Sequence, residues 1–108
     1  MLKPDELINK VKSYNKFLNP DALSKAYDFA LKAHQKQKRD EGSPYIIHPV
    51  AVADILTELK LDSATIATGL LHDTIEDTHA TYETVKEEFG QEVADLVDGV
   101  TKISVFEN

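Results

Sequence analysis

Apolar residues recur at intervals of three and four along almost the whole chain. This is the spacing of one face of an α-helix, and no run alternates apolar and polar residues as a half-buried strand would. The β-like stretch at 45–47 is too short to change that reading. The sequence therefore predicts an all-α fold, with apolar helix faces formed in turn by Leu7, Val11, Tyr14 and Leu18; Leu23, Tyr27, Ala30 and Leu31; Val52, Ile55, Leu56 and Leu59; Ile66, Leu70 and Leu71; and Val93, Leu96, Val97, Val100 and Ile103.

Proline and short polar residues mark where the predicted helices begin and end. Proline suits the first helical position because the N–H it lacks is not needed there. Aspartate, serine and threonine cap a helix by accepting a hydrogen bond from its first turn. We predict a polar loop at 35–44, a fourth helix that runs to about Asp77, and a fifth that ends at Gly90 with a positive φ. The predicted starts are Pro20, the neighbourhood of Pro49, Asp62 or Ser63, and Thr81.

The composition limits both the size of the fold and its partners. A chain of 108 residues, 42% apolar and 29% charged, is expected to form one globular domain. The net charge of -7 argues against nucleic acid or a membrane surface as partner. An anionic ligand would need a bound cation or a local basic cluster. No apolar stretch is long enough to span a membrane, and we predict a cytoplasmic protein.

The stretch 70–77 places four ionisable side chains directly after an apolar run. If it is helical, His72 and Glu76 lie one turn apart, and Asp73 and Asp77 form a second such pair. Carboxylates near a helix C-terminus are disfavoured by the helix dipole, and a divalent cation would relieve their repulsion. The alternative is an ordinary solvated acidic helix end. Because the chain has no cysteine, a metal would be held by histidine and carboxylate side chains.

His48 precedes a predicted helix start and follows two apolar residues. It is either a core histidine bonded to the backbone or a metal ligand. Placed beside His72 and Asp73, it would complete a set of two histidines and one carboxylate. Such a set suits Mn, Fe or Zn and leaves positions open for water and substrate.

The loop at 35–39 is the densest basic segment of this acidic chain. It is either an ordinary solvated loop or a phosphate contact, with the guanidinium of Arg39 as a forked donor. We predict that His34 and His79 are surface or helix-end histidines.

Taken together, these residues resemble the hydrolase domain of the RelA/SpoT-homologue family. The resemblance extends from about Asp21 onward and is specific because the matching blocks occur in order along the chain. They are Ala33-His34, Gln37, Arg39, Gly42, 44–49, Leu61-Asp62, Thr65, 70–73, 76–78, 89–90, 92–94 and 99–102.

The resemblance implies an HD-domain helical bundle that binds Mn(II) or another divalent metal. It implies hydrolysis of guanosine tetra- and pentaphosphate, with release of pyrophosphate from the 3′ position. By matching position, the implied metal ligands are His48, His72 and Asp73, the implied water-positioning carboxylates are Glu76 and Asp77, and the implied nucleotide contact is Arg39.

This sequence departs from the family pattern in two ways. Asp40-Glu41 stands where a Lys-Ser pair is usual, and Lys36 stands where glycine is usual. The family's fourth metal ligand, an aspartate in a later Asp-Arg-Leu-His-Asn-type segment, has no counterpart. We therefore expect 1–108 to be one truncated HD-type domain, with an exposed apolar face near its C-terminus that favours self-association. Two alternatives stay open: a catalytically inactive remnant or binding module, and an HD phosphohydrolase for other nucleotides.

Overall fold

The computed structural model describes residues 1–38, 41–74 and 81–107, with side chains described as far as Val100. Within these ranges the chain forms helices and no strand, so the all-α prediction is confirmed. None of the described helices combines the length and the apolar character needed to cross a membrane. The helices are α1 Pro4–Lys12, α2 Pro20–Ala33, α3 Ile47–Glu58, α4 Ser63–Leu71, α5 Tyr82–Phe89 and α6 Gln91–Glu107.

Helix α4 lies at the centre of the fold and packs against α2, α3 and α6. All residues from Ile66 to Leu71 are buried, which fits a helix surrounded by neighbours rather than one with a solvent face. Leu7 and Val11 of α1 and Leu23 of α2 complete the same core. Because α4 is buried up to its last residue, the polar residues that follow it emerge directly from the core.

Helices α3 and α4 form a tightly packed hairpin joined by a short connection at 59–62. Gly69 makes the close approach possible, since a Cβ at that position would lie 2.6 Å from Cδ1 of Leu56. The predicted buried face of α3 is wrong in part, because Ile55 and Leu59 are 60% and 64% exposed. The buried residues of α3 are instead Pro49, Val50, Ala53 and Thr57.

Most predicted helix starts are confirmed. Pro20 begins α2, and the side chains of Asp62 and Thr81 cap α4 and α5 by accepting from backbone N–H groups. Gly90 ends α5 with a φ of 93° as predicted. Helix α3 begins two residues before Pro49, at Ile47.

The predicted continuation of the fourth helix to about Asp77 is wrong, because α4 ends at Leu71 with His72 as its C-cap. The His72 ring bonds to the carbonyl of Gly69, and the Thr74 hydroxyl donates to the carbonyl of Leu71. Side chains that bond to local carbonyls in this way compete with the helical hydrogen-bond ladder.

The predicted apolar face near the C-terminus is exposed in part, with Leu96 at 40% and Val100 at 38%. Val93 and Val97 of the same helix are buried against the core. Self-association through this face stays a prediction.

Replacing Asp62 with alanine is expected to lower the free energy of unfolding by about 1 kcal/mol at pH 7, because the N-cap of α4 is lost. Hydrogen bonds from the side chain and backbone of Thr65 hold the pKa of Asp62 below its ordinary value of 3.8. The carboxylate therefore stabilises the fold above that value, and the benefit is lost as the pH falls through the lower pKa of the folded state. Urea unfolding of both proteins at several pH values should show that the difference between their free energies of unfolding becomes smaller below pH ~4. A difference that stays constant with pH would contradict this account of the cap.

Candidate metal centre

The structure brings His48, His72 and Asp73 together where α3 begins and α4 ends. In the described part of the chain these side chains form a group whose ligand atoms all lie within 4.8 Å of one another. Oδ2 of Asp73 lies 3.1 Å from Nε2 of His72 and 3.6 Å from Nε2 of His48. The rings of His48 and His72 stand edge to face, with centroids 5.3 Å apart. The α3–α4 hairpin thus joins residues that are far apart in the sequence.

The orientation of His72 is fixed by its own helix. Its Nδ1 lies 2.6 Å from the carbonyl oxygen of Gly69. A carbonyl oxygen only accepts, so Nδ1 carries the proton and donates it. Nε2 of the neutral ring then presents a lone pair toward the site, which is the arrangement that metal-binding histidines usually adopt.

The donor set fits a cation. In the neutral ring, Nε2 of His72 and Oδ2 of Asp73 are two acceptors 3.1 Å apart, and they repel unless a proton or a metal ion lies between them. Two ligand atoms about 2.1 Å from one ion lie at most ~4.2 Å apart. The separations of Asp73 from both histidines fall within that limit. Two imidazoles and one carboxylate suit Mn, Fe or Zn.

Asp73 is the most constrained of the three side chains. Burial raises the pKa of its carboxyl, but the contact with His72 and the hydrogen bond from Tyr45 together lower it by more, so the net pKa lies below the ordinary value of 3.8. The hydroxyl of Tyr45 donates to Oδ2 of Asp73 at 2.7 Å. The carboxylate is therefore held in the ionised form that a metal ligand needs.

The site is open on one side. The side chain of His48 is 37% exposed, whereas those of His72 and Asp73 are each 16% exposed. An ion held by these residues would rest on the end of α4 and face solvent past His48. This arrangement leaves room for water or a ligand to complete the coordination.

Five residues singled out from the sequence lie outside the described residues: Arg39, Asp40, Glu76, Asp77 and His79. The neighbouring segment is described. The backbone N–H of Tyr45 donates to the carbonyl of Gln37 at 3.1 Å, and Lys38 pairs with Pro44 in an isolated β-bridge. The loop that includes Arg39 is thus closed at its base by Tyr45, three residues before His48.

Of the two placements predicted for His34, the surface or a helix end, the structure confirms the second. It is a helix-end residue, the C-cap of α2, but it is only 1% exposed and not on the surface. Its ring stacks on that of Tyr45, with centroids 4.7 Å apart. The sequence reasoning included both residues among the matching blocks but gave neither of them a contact at the site. The signal available was their position in the two blocks on either side of the basic loop.

Comparison with known proteins gives a consistent set of relatives. A family model described as an HD domain matches residues 26–108. A GTP pyrophosphokinase of Myxococcus xanthus is 58% identical over 96 residues, 89% of this chain and 13% of the relative. A guanosine-3′,5′-bis(diphosphate) 3′-pyrophosphohydrolase of Aquifex aeolicus is 57% identical over 77% of this chain and 12% of the relative. The bifunctional (p)ppGpp synthase/hydrolase SpoT of Escherichia coli is 56% identical over 75% of this chain and 12% of the relative.

A solved structure shares the fold as well. It is described as a metazoan ortholog of SpoT that hydrolyses ppGpp, and it matches with a TM-score of 0.67 and 35% sequence identity. The match covers 70% of this chain and 45% of the other. The chain spans only 12–13% of the length of the curated relatives described above.

Proposed function

The chain belongs to the HD-domain family, among homologues of SpoT and Rsh, and from this we propose that it hydrolyses guanosine 3′,5′-bis(diphosphate) with the help of a divalent metal ion. The proposed products are pyrophosphate, released from the 3′ position, and the guanosine 5′-diphosphate that remains. We propose Mn(II) as the ion and the pentaphosphate as a second substrate. The observation that carries the proposal is the convergence of His48, His72 and Asp73.

In the proposed site, His48, His72 and Asp73 hold the ion. When bound, it would supply Lewis acidity toward a phosphoryl oxygen and lower the pKa of a coordinated water. The carbonyl of Gly69 orients His72. Preformed ligands of this kind avoid the cost of ordering the site when the ion binds.

The resemblance assigns further roles to residues outside the described part of the chain. We propose that Glu76 and Asp77 position the attacking water or take its proton, as carboxylates near a metal can. We propose that Arg39 contacts a phosphate of the nucleotide through paired N–H donors. Glu76 and Asp77 follow Asp73 by only a few residues, which supports their placement near the ion.

The negative charge of the chain gives a second reason for a bound cation, which is to reduce electrostatic repulsion of the nucleotide. A polyanionic nucleotide approaching a protein of net charge -7 meets repulsion, which a divalent ion and the lysines of the basic loop reduce. Lys36 and Lys38 are exposed and belong to that loop. Glu41 is also exposed, and Asp40-Glu41 stands where the family usually has a Lys-Ser pair. We therefore propose weaker nucleotide binding than in relatives with the Lys-Ser pair.

The location and the oligomeric state are also part of the proposal. We propose that the protein acts in the cytoplasm and that its exposed C-terminal face supports self-association. A concentration series in analytical ultracentrifugation would test the latter.

The proposed function is tested by pyrophosphate release from guanosine tetraphosphate, measured with the full chain in the presence of Mn(II) and after removal of metal with a chelator. We expect release that requires the metal and returns when Mn(II) is restored. Guanosine triphosphate, which lacks the 3′-diphosphate, serves as the control substrate and should be left intact. Binding of the metal and the tetraphosphate without release would contradict the hydrolase proposal and favour a binding module. Equal cleavage of both substrates would favour a phosphohydrolase of broader specificity.

A further inference from the structure

We propose that Tyr45 is a positioning residue for Asp73, and that the buried His34 holds the Tyr45 ring in the orientation this requires. The inference rests on the proposed metal centre. It assigns a purpose to two residues that the proposed reaction does not otherwise use.

Tyr45 contacts Asp73 at the oxygen that faces the histidines. The tyrosine hydroxyl donates to Oδ2 at 2.7 Å, and this same oxygen lies 3.1 Å from Nε2 of His72 and 3.6 Å from Nε2 of His48. The Tyr45 hydroxyl thus uses one lone pair of Oδ2, and the other lone pair is available to a metal ion. A hydrogen bond of this kind orients a metal-binding carboxylate and prevents its rotation.

Tyr45 is also hydrogen-bonded through its backbone to His48, another of the proposed ligands. Its carbonyl accepts a hydrogen bond of 3.0 Å from the N–H of His48, and its own N–H donates to the carbonyl of Gln37. A single residue therefore connects His48, at the start of α3, with Asp73, beyond the end of α4. Displacement of Tyr45 would change the separation of two proposed ligands at once.

His34 explains why the Tyr45 ring keeps its place. The two rings are tilted by 31° with centroids 4.7 Å apart, and Nδ1 of His34 contacts the side-chain oxygen of Gln37. His34 is 1% exposed, and within the described part of the chain its Nε2 makes no hydrogen bond. A buried polar atom without a partner is costly, so a histidine retained there calls for a reason beyond filling space. Stacking on Tyr45 while bonding to Gln37 supplies that reason.

The first test compares Mn(II) affinity in the full chain and in two tyrosine variants. Tyr45→Phe keeps the ring and removes only the hydroxyl, and we expect affinity to fall by about 10-fold to 100-fold. Tyr14→Phe is the matched control. The Tyr14 hydroxyl also makes a short bond, 2.6 Å to the carbonyl of Leu61, but it contacts no proposed ligand. We expect its Mn(II) affinity to equal that of the unchanged chain.

The second test separates positioning from packing by a double-mutant cycle. His34→Ala should weaken Mn(II) binding, because the ring of Tyr45 loses its support. In the Tyr45→Phe background the same change should cause no further loss, since His34 acts through the hydroxyl that is already gone. A role for His34 in packing alone would give the same loss of affinity in both backgrounds. Circular dichroism of each variant establishes that the folded chain is being compared.

The possible outcomes separate this inference from the function on which it rests. If the unchanged chain fails to bind Mn(II), the metal centre itself is wrong. If the unchanged chain binds the ion and Tyr45→Phe binds it equally well, the metal centre stands and the positioning role of Tyr45 is refuted.

Discussion

Asp73→Ala is expected to reduce metal-dependent release of pyrophosphate from guanosine tetraphosphate by at least about a thousandfold, because several kcal/mol of transition-state stabilisation depend on the bound ion. Asp73 carries the only carboxylate of the three proposed ligands, and its Oδ2 lies 3.1 Å from Nε2 of His72 and 3.6 Å from Nε2 of His48. Its loss removes both the negative charge that attracts the ion and the acceptor of the Tyr45 hydroxyl. The measurement is the initial rate of release at saturating substrate and Mn(II).

The matched control for this change is Asp28→Ala. Asp28 pairs with Lys32 on the surface of α2, so its replacement removes the same charge from the protein without touching the proposed site. Exposed ion pairs of this type contribute little to stability, and we expect the rate to stay within about twofold of the original. Release that survives Asp73→Ala at the original rate would show that the ion, if needed, is held elsewhere.

Leu70→Ala is expected to lower the free energy of unfolding by about 2–5 kcal/mol, since a buried leucine is exchanged for a cavity. Leu70 is fully buried in α4, the helix that packs against three others. A domain of this size has about 5–15 kcal/mol of stability in total, so the loss would be a large fraction of it. Thermal unfolding should show a midpoint lower by roughly 10 °C or more.

Leu59→Ala is the control, because it makes the same chemical change at a position that is 64% exposed. We expect it to alter the free energy of unfolding by no more than about 0.5 kcal/mol. Equal losses for the two variants would contradict the burial of α4 described here. Reduced stability in Leu59→Ala alone would indicate that the face first predicted to be buried is covered in solution.

The helical fold could be predicted because its signals are local. Prolines, caps and apolar spacing act within a few residues, and the starts at Pro20, Asp62 and Thr81 agree with them. The face of α3 could not be predicted in the same way. Every turn of that helix carries apolar residues, so periodicity did not distinguish Ile55 from Ala53. The choice depends on the neighbouring helix α4, where Gly69 lets the Leu56 and Val52 side chains and the Ala53 backbone approach closely.

The site, like the fold, could be predicted from the sequence only in part. The candidates His48, His72 and Asp73 were named from residue type, spacing and resemblance, but only a folded chain places residues of α3 and α4 within contact distance. The predicted helix through 72 and 73 was wrong, because α4 ends at Leu71, and Glu76 and Asp77 lie outside the described residues. His34 and Tyr45 were part of the matching blocks, but position in a block does not reveal that their rings stack or that Tyr45 contacts Asp73.

The central claim is that His48, His72 and Asp73 form one metal site, and titration of the full chain with Mn(II) tests it most directly. Free Mn(II) can be followed by electron paramagnetic resonance, with His48→Ala measured beside the unchanged chain. The account predicts one saturable Mn(II) site per chain, with an affinity at least about 100-fold lower in His48→Ala. Removing a ligand should lower the affinity at least as much as removing a residue that only hydrogen-bonds to a ligand. Unchanged Mn(II) affinity in a folded His48→Ala chain would contradict it.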